Sequence, residues 1–155
     1  MSSKIIIALL LIPILMTNSC KPPLSDGQGI LGKVTWLEGN QMPMISEDGK
    51  SSEVNPKGVP AERMLLIYPL TNLSDAAREG ALFSRVKGEP IDSVQSDADG
   101  KYSIQLAPGT YSIFVKEEEG LFANMFDGNG SIQPVVVKKA EWTTLDIIIN
   151  YKAFF

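Results

Sequence analysis

Residues 96–116 read SDADGKYSIQLAPGTYSIFVK, two stretches of alternating apolar and polar residues, each introduced by a turn that contains glycine. Tyr102, Ile104 and Leu106 fall on one side of the first stretch, and Tyr111, Ile113 and Val115 on one side of the second. Ser103, Gln105 and Ser112 fall opposite. A period of two is the strand period, because side chains on a pleated backbone alternate between faces. One apolar side and one polar side then describe an antiparallel sheet buried on one face. Gly100 and Gly109 are expected to supply positive φ in the two turns, with Pro108 presetting the first turn residue.

The same period continues through most of the chain. Val34 and Trp36 share a face of a first strand over residues 30–36, and residues 63–70 form a continuous apolar run that suits a strand buried on both sides. Residues 71–78 are predicted to hold one helical turn capped by Ser74, followed by a strand at 82–86. Further strands are predicted at 91–95, 101–106, 110–116, 121–125, 132–138 and 142–151. Between the first two strands lies a long polar insertion, residues 39–60, rich in Gly and Pro. Many short strands with regular turns specify an all-β fold, a single antiparallel Greek-key β-sandwich of about 7–8 strands over residues 30–155.

Residues 1–19 are of a different kind. Behind Lys4, residues 5–16 are apolar, too short for a membrane span and of the length of a signal-peptide core. Cys20 is the only cysteine and follows the small Ser19, a pattern that resembles the lipobox of bacterial lipoproteins, where the Cys is acylated and becomes the mature N-terminus. The Leu usual three residues before that Cys is Thr17 here. Residues 1–19 are therefore expected to be a signal peptide, and residues 20–29 a lipidated Cys with a Pro-bearing tether. One acyl chain binds a membrane reversibly, whereas two or three hold permanently without help from a basic patch.

Within the sandwich segment, DADGKYSIQLAPGTYSIFV resembles the paired Asp-Gly-x-Tyr/Phe and Pro-Gly-x-Tyr signature of carboxypeptidase-regulatory-like domains, which share the transthyretin-like prealbumin sandwich. GKVTW and GVPAERMLLIYPL resemble the first two strands of that family. EGNQMP, LFANMFDGNGSIQPVVV and INYKAFF are similar to small lipoproteins of Bacteroidota. The resemblance implies a fold, a cell-envelope address and an accessory, binding or structural role, without peptidase activity in the domain. KPPLSDG after Cys20 lacks the acidic run of outer-surface lipoproteins in that group, which implies an outer membrane location facing the periplasm.

Charge and residue types restrict the chemistry. Fourteen basic against 18 acidic residues give a net charge of −4, which offers no bulk footprint for nucleic acid. GQGILGKV, residues 27–34, satisfies G-x-G-x-x-G, but a Pro-bearing tether precedes it and a strand follows, so no helix N-terminus would cradle a nucleotide. There is no histidine, and Cys20 is assigned to lipid, so the usual base, thiol nucleophile and zinc ligands are missing. No catalytic residue and no cofactor are expected.

Three weaker possibilities remain. Asp97 and Asp99 with Glu117 form a candidate calcium end, since calcium takes oxygen ligands; the alternative is that each Asp caps its own backbone. Asp127 and Asn129 are expected at the opposite end, and Lys138 and Lys139 near Asp97 and Glu117. A Lys33 to Asn150 isopeptide bond, as in the related collagen-adhesin B-type repeats, is disfavoured because the position of its catalytic acid is Val115 and Lys33 is out of phase with Val34 and Trp36. Met42, Met44, Phe122, Met125 and Phe126, in or beside loops, form a candidate binding surface, with Phe114 expected beneath the 39–60 insertion. The final YKAFF reads either as a paired end strand or as a protruding apolar tail. Together these readings describe a non-catalytic, lipid-anchored envelope module that touches the membrane through its lipid and binds or supports an envelope protein or glycan. The alternative is a carbohydrate- or calcium-binding subunit of an envelope uptake system.

Overall fold

The strand period noted above is realised in twelve strands of the chain described by a computed structural model, residues 27–42 and 58–155. Cys20, Met44 and most of the 39–60 insertion lie outside the described residues. The strands of the first half are β1 (Gly29–Asn40), β2 (Val59–Pro60), β3 (Met64–Pro69), β4 (Ala76–Glu79), β5 (Leu82–Val86) and β6 (Asp92–Gln95). Those of the second half are β7 (Lys101–Gln105), β8 (Gly109–Glu117), β9 (Gly120–Phe122), β10 (Pro134–Val137), β11 (Trp142–Thr144) and β12 (Ile147–Phe154). They form two sheets that face each other as an all-β sandwich.

β1 is the axis of the first sheet. Its first half pairs antiparallel with β7 and parallel with β11; its second half pairs antiparallel with β2 and parallel with β12. The otherwise antiparallel pattern is thus broken where the first strand lies beside the last two. The second sheet runs β4-β5-β9-β8-β3-β6, with β10 lying along β8 beside the start of that strand. Between the sheets Ile30, Val34, Leu65, Ile67, Ile113, Val115, Ile147 and Ile149 are almost wholly buried, each contributing about 1.5–3 kcal/mol.

Several local expectations are corrected. The two alternating stretches do not share one sheet: β7 and β8 belong to different sheets, so the 106–109 turn crosses from one layer to the other. Gly109 does not take positive φ; a Cβ there would press on the ring of Tyr111, whose hydroxyl folds back to donate to Ala107 O at 2.8 Å. Gly100 does take it, at φ 75°. Ser74 caps no helix: a 3-10 turn at Leu73–Asp75 has Asn72 at its N-cap, with no side-chain bond, and the chain is extended again in β4. Strand 142–151 is split at Leu145, whose N–H donates to Leu31 O at 2.8 Å.

β8 is buried on both faces, since Ser112 and Phe114 are as enclosed as Ile113 and Val115. The expectation that Phe114 lies beneath the 39–60 insertion falls mostly outside the described residues, and among the described residues the cover comes from elsewhere. Phe83 of the β4–β5 hairpin and Tyr68 of β3 stack edge-on against Phe114 at 5.6 and 5.4 Å, with Ala123 and Ile132 completing a second small core.

Candidate functional site

The acidic turn DADG is a closed hydrogen-bonded loop. Asp97 Oδ1 accepts from the backbone N–H of Asp99 at 2.9 Å and of Lys101 at 2.8 Å, while Gly100 N–H donates to Asp97 O and Asp97 N–H to Lys101 O. The same four bonds recur in FDGNGS, where Asp127 Oδ1 accepts from Asn129 N–H at 2.9 Å and Ser131 N–H at 2.8 Å, and Asp127 exchanges backbone bonds with Gly130 and Ser131. Gly100 and Gly130 occupy the matching position, both at positive φ. The bonds from Ser131 are the chief reason that the Asp127 carboxyl lies below its ordinary value. The sequence carried this repeat as Asp followed three residues later by Gly, in D-A-D-G and D-G-N-G.

Asp99, the second candidate calcium ligand, points outward and takes Lys101 Nζ at 3.2 Å. Glu117 is engaged elsewhere. Its Oε1 accepts from Arg63 Nε at 2.9 Å and its Oε2 from the Tyr151 hydroxyl at 2.9 Å, and its side chain is only 5% exposed. Among the described residues no three acidic, histidine or cysteine side chains gather as metal ligands. Lys138 and Lys139 are not at this end. They follow β10, whose last residue, Val137, pairs with Gly109, so they lie beside the opposite turn.

Around Glu117 the fold assembles a group that no local motif announced. Trp36 meets Tyr151 edge-on at 5.4 Å, Phe122 lies 5.7 Å from Tyr151, and Arg63 and Lys152 approach the Trp36 ring at 5.5 and 5.7 Å. Four strands, β1, β8, β9 and β12, supply these residues together with Arg63, which immediately precedes β3. Burial, then the bond to the Glu117 carboxylate, pushes the Tyr151 phenol up to about 12.

The proposed binding surface divides. Met42, Met125 and Phe126 are exposed, at 50%, 48% and 40%. Phe122 is not; the β8–β9 register sets it opposite Val115 and turns it into the core, 2% exposed. Phe126 lies beside Phe83 with the Arg78 guanidinium 5.8 Å from both rings. The terminal YKAFF combines both readings, because β12 stays paired to β1 through Phe154 while the Phe154 and Phe155 side chains are 68% and 71% exposed.

The Lys33 to Asn150 bond is ruled out by register. Lys33 precedes Val34, the partner of Ile147, so it stands level with Asp146, whose Oδ1 accepts from Lys33 N–H at 2.8 Å. Asn150 is four residues further along, on the order of 13 Å at strand rise, and accepts from Asn124 Nδ2 at 3.2 Å.

One concavity has the composition of a ligand groove. It measures about 700 Å³ and its wall includes Lys33, Asp97, Lys101, Ser103, Thr144 and Asp146, with Leu31 among them. Val94 and Tyr102 line it as well, so it offers apolar surface beside charges of both signs, the mixture that a small ligand with polar and apolar faces would meet. Compared with known proteins, the chain matches no family model, no curated protein and no solved structure.

Proposed function

We propose that this chain is a non-catalytic, lipid-anchored β-sandwich module of a bacterial cell envelope, related to the carboxypeptidase-regulatory-like domains, which binds or supports another envelope component from the outer membrane on its periplasmic side. The observation that carries this reading is the employment of the carboxylates. Asp97 and Asp127 close turns, Asp146 holds the backbone of β1, and Glu117 joins Arg63 to Tyr151. Side chains tied into the fold in this way serve a rigid scaffold rather than proton transfer, which needs a group free to change its partner. The apolar run of residues 5–16 and the placement of Cys20 support the envelope address.

Intact mass of the protein purified from envelopes, beside a Cys20→Ala variant, tests the anchor. A chain that begins at Cys20 with acyl mass, absent in the variant, is expected; an unacylated chain removes the address. A second reading, a carbohydrate-binding subunit of an uptake system, is favoured by the groove in which Lys33, Lys101 and Asp146 stand beside Leu31, Val94 and Tyr102. A glycan panel read by thermal shift, repeated on Asp146→Ala, tests it: a shift in the parent chain that the variant loses supports it, and no shift with any glycan removes it.

A further inference from the structure

We infer that the end of the sandwich formed by Gln28, the 106–109 turn and the 138–141 turn rests against an anionic phospholipid surface, with Lys138 and Lys139 toward the headgroups. This rests on the proposed acylation of Cys20 and adds the orientation of the domain.

Gln28 fixes where the chain enters the fold. It is 3% exposed, its Nε2 donates to Leu106 O at 2.9 Å, and its Oε1 accepts from Ala140 N–H at 3.1 Å, so the entry point is tied to both turns. Cys20 precedes Gln28 by eight residues. An extended chain advances at most about 3.6 Å per residue, which bounds the separation at roughly 29 Å. β1 alone, 12 residues long, spans roughly 40 Å at strand rise. The tether is therefore shorter than the long axis of the domain, and the entry end stays close to the bilayer whatever the far end does.

Charge selects among the poses that the tether permits. Lys138 and Lys139 are both exposed at the entry end; Lys138 Nζ lies 3.8 Å from Glu141, with its side chain 68% exposed. The β8–β9 turn at the far end exposes Glu118 and Glu119. An anionic surface attracts the lysines and repels the glutamates within a Debye length, about 8 Å at physiological salt. With net charge −4 the chain has no general attraction to such a surface, so the lysine pair orients the domain rather than recruiting it. The Trp36, Tyr151 and Phe154 end then faces away from the membrane.

The test uses the full acylated chain in phosphatidylglycerol–phosphatidylethanolamine vesicles that carry a headgroup-linked quencher. The sulfur of acylated Cys20 bears the lipid, so a fluorophore attaches only to an introduced cysteine, Ala107→Cys at the entry end or Glu118→Cys at the far end, both exposed positions. Severalfold stronger quenching at position 107 than at 118 is expected, with the difference reduced in a Lys138→Gln/Lys139→Gln background and in purely zwitterionic vesicles. Equal quenching at the two positions, the reverse order, or a difference indifferent to the lysines overturns the orientation while leaving the anchor intact. Protein without acyl mass that fails to float with the vesicles overturns the anchor reading and this inference with it.

Discussion

Arg63 Nε lies 2.9 Å from Glu117 Oε1, joining the residue before β3 to the end of β8 over a carboxylate that is almost wholly enclosed. The Tyr151 hydroxyl on the other oxygen brings in β12, so one side chain ties both sheets together. Removing an acceptor that is itself enclosed costs more than a surface hydrogen bond contributes, because its half-buried donors regain water only in part.

Glu117→Ala should therefore lower unfolding free energy by about 2 kcal/mol, with Tyr151→Phe near half of that. Glu117→Gln keeps an acceptor while losing the charge, and should fall between the parent and the alanine variant. Urea denaturation of the three variants checks this order. A Glu117→Ala midpoint equal to that of the parent would show that the group contributes nothing to stability.

Alkaline stability follows from the tyrosines. Burial raises all four, Tyr68, Tyr102, Tyr111 and Tyr151, above the ordinary phenol value of 10.0. A group whose folded pKa is raised stabilises the fold fully below its unfolded value and ceases to do so as pH climbs through the folded one. For Tyr151 that window runs from 10.0 to about 12. Tyrosinate absorbance should accordingly rise late and together with loss of β structure, and Tyr102→Phe or Tyr151→Phe should each make stability less steep in pH across that window. A gradual titration from pH 10 with the fold intact would contradict this.

How far the sequence carried the fold depends on whether the cause was local. Strand β5, residues 82–86, and the inward faces of β7 and β8 followed from period two and adjacent turn residues. That Phe114 is covered was expected, but not by what, because Phe83 and Ile132 come from distant parts of the chain. Residues 71–78 read as a helical turn capped by Ser74, yet only Leu73–Asp75 turn, and pairing with β5 draws residues from Ala76 on into a strand. The candidate site split in the same way. The Asp97 turn was legible as a cap from its own four residues, whereas the Glu117 group joins residues from five separate segments and left no signal at any one of them.

The two Asp-closed loops give a paired prediction. Asp97→Ala and Asp127→Ala each remove an acceptor for two backbone N–H groups and should lower the melting temperature, while the Asn variants, which keep the oxygen, should lower it less. Because the Asp127 carboxyl lies below the ordinary value of 3.8, its contribution is present above that value and fades as pH falls below it. Asp127→Asn should therefore show a weaker acid dependence than the parent chain. Millimolar calcium should leave the melting temperature unchanged, since Asp97 Oδ1 already faces two donors; stabilisation by calcium that Asp97→Asn abolishes would overturn the capping account.

A glycine comparison tests the close approach of β1 to the loop that separates β11 from β12. A Cβ on Gly32 would collide with Leu145 O, and Tyr102 already donates to that oxygen at 2.6 Å, so neither backbone nor ring has room to withdraw. Gly32→Ala should cost about 2 kcal/mol or more, whereas Gly128→Ala, where nothing lies within 4 Å of the added carbon, should be nearly neutral. Thermal melts of the two variants decide it.

Phe122 and Phe126 separate packing from recognition. Phe122→Ala empties a site 2% exposed in the main core and should cost about 3–5 kcal/mol, enough to threaten folding. Phe126, 40% exposed beside Arg78, leaves much of its ring in solvent, so Phe126→Ala should cost well under that. Cross-linking of the anchored protein in whole envelopes, parent against Phe126→Ala/Met125→Ala, then reads recognition alone. Loss of a cross-linked partner from a variant that melts like the parent assigns the patch to binding. Retention of every partner would leave Phe126 as cover for the Phe83 and Phe114 core, and would direct attention to the exposed Phe154 and Phe155.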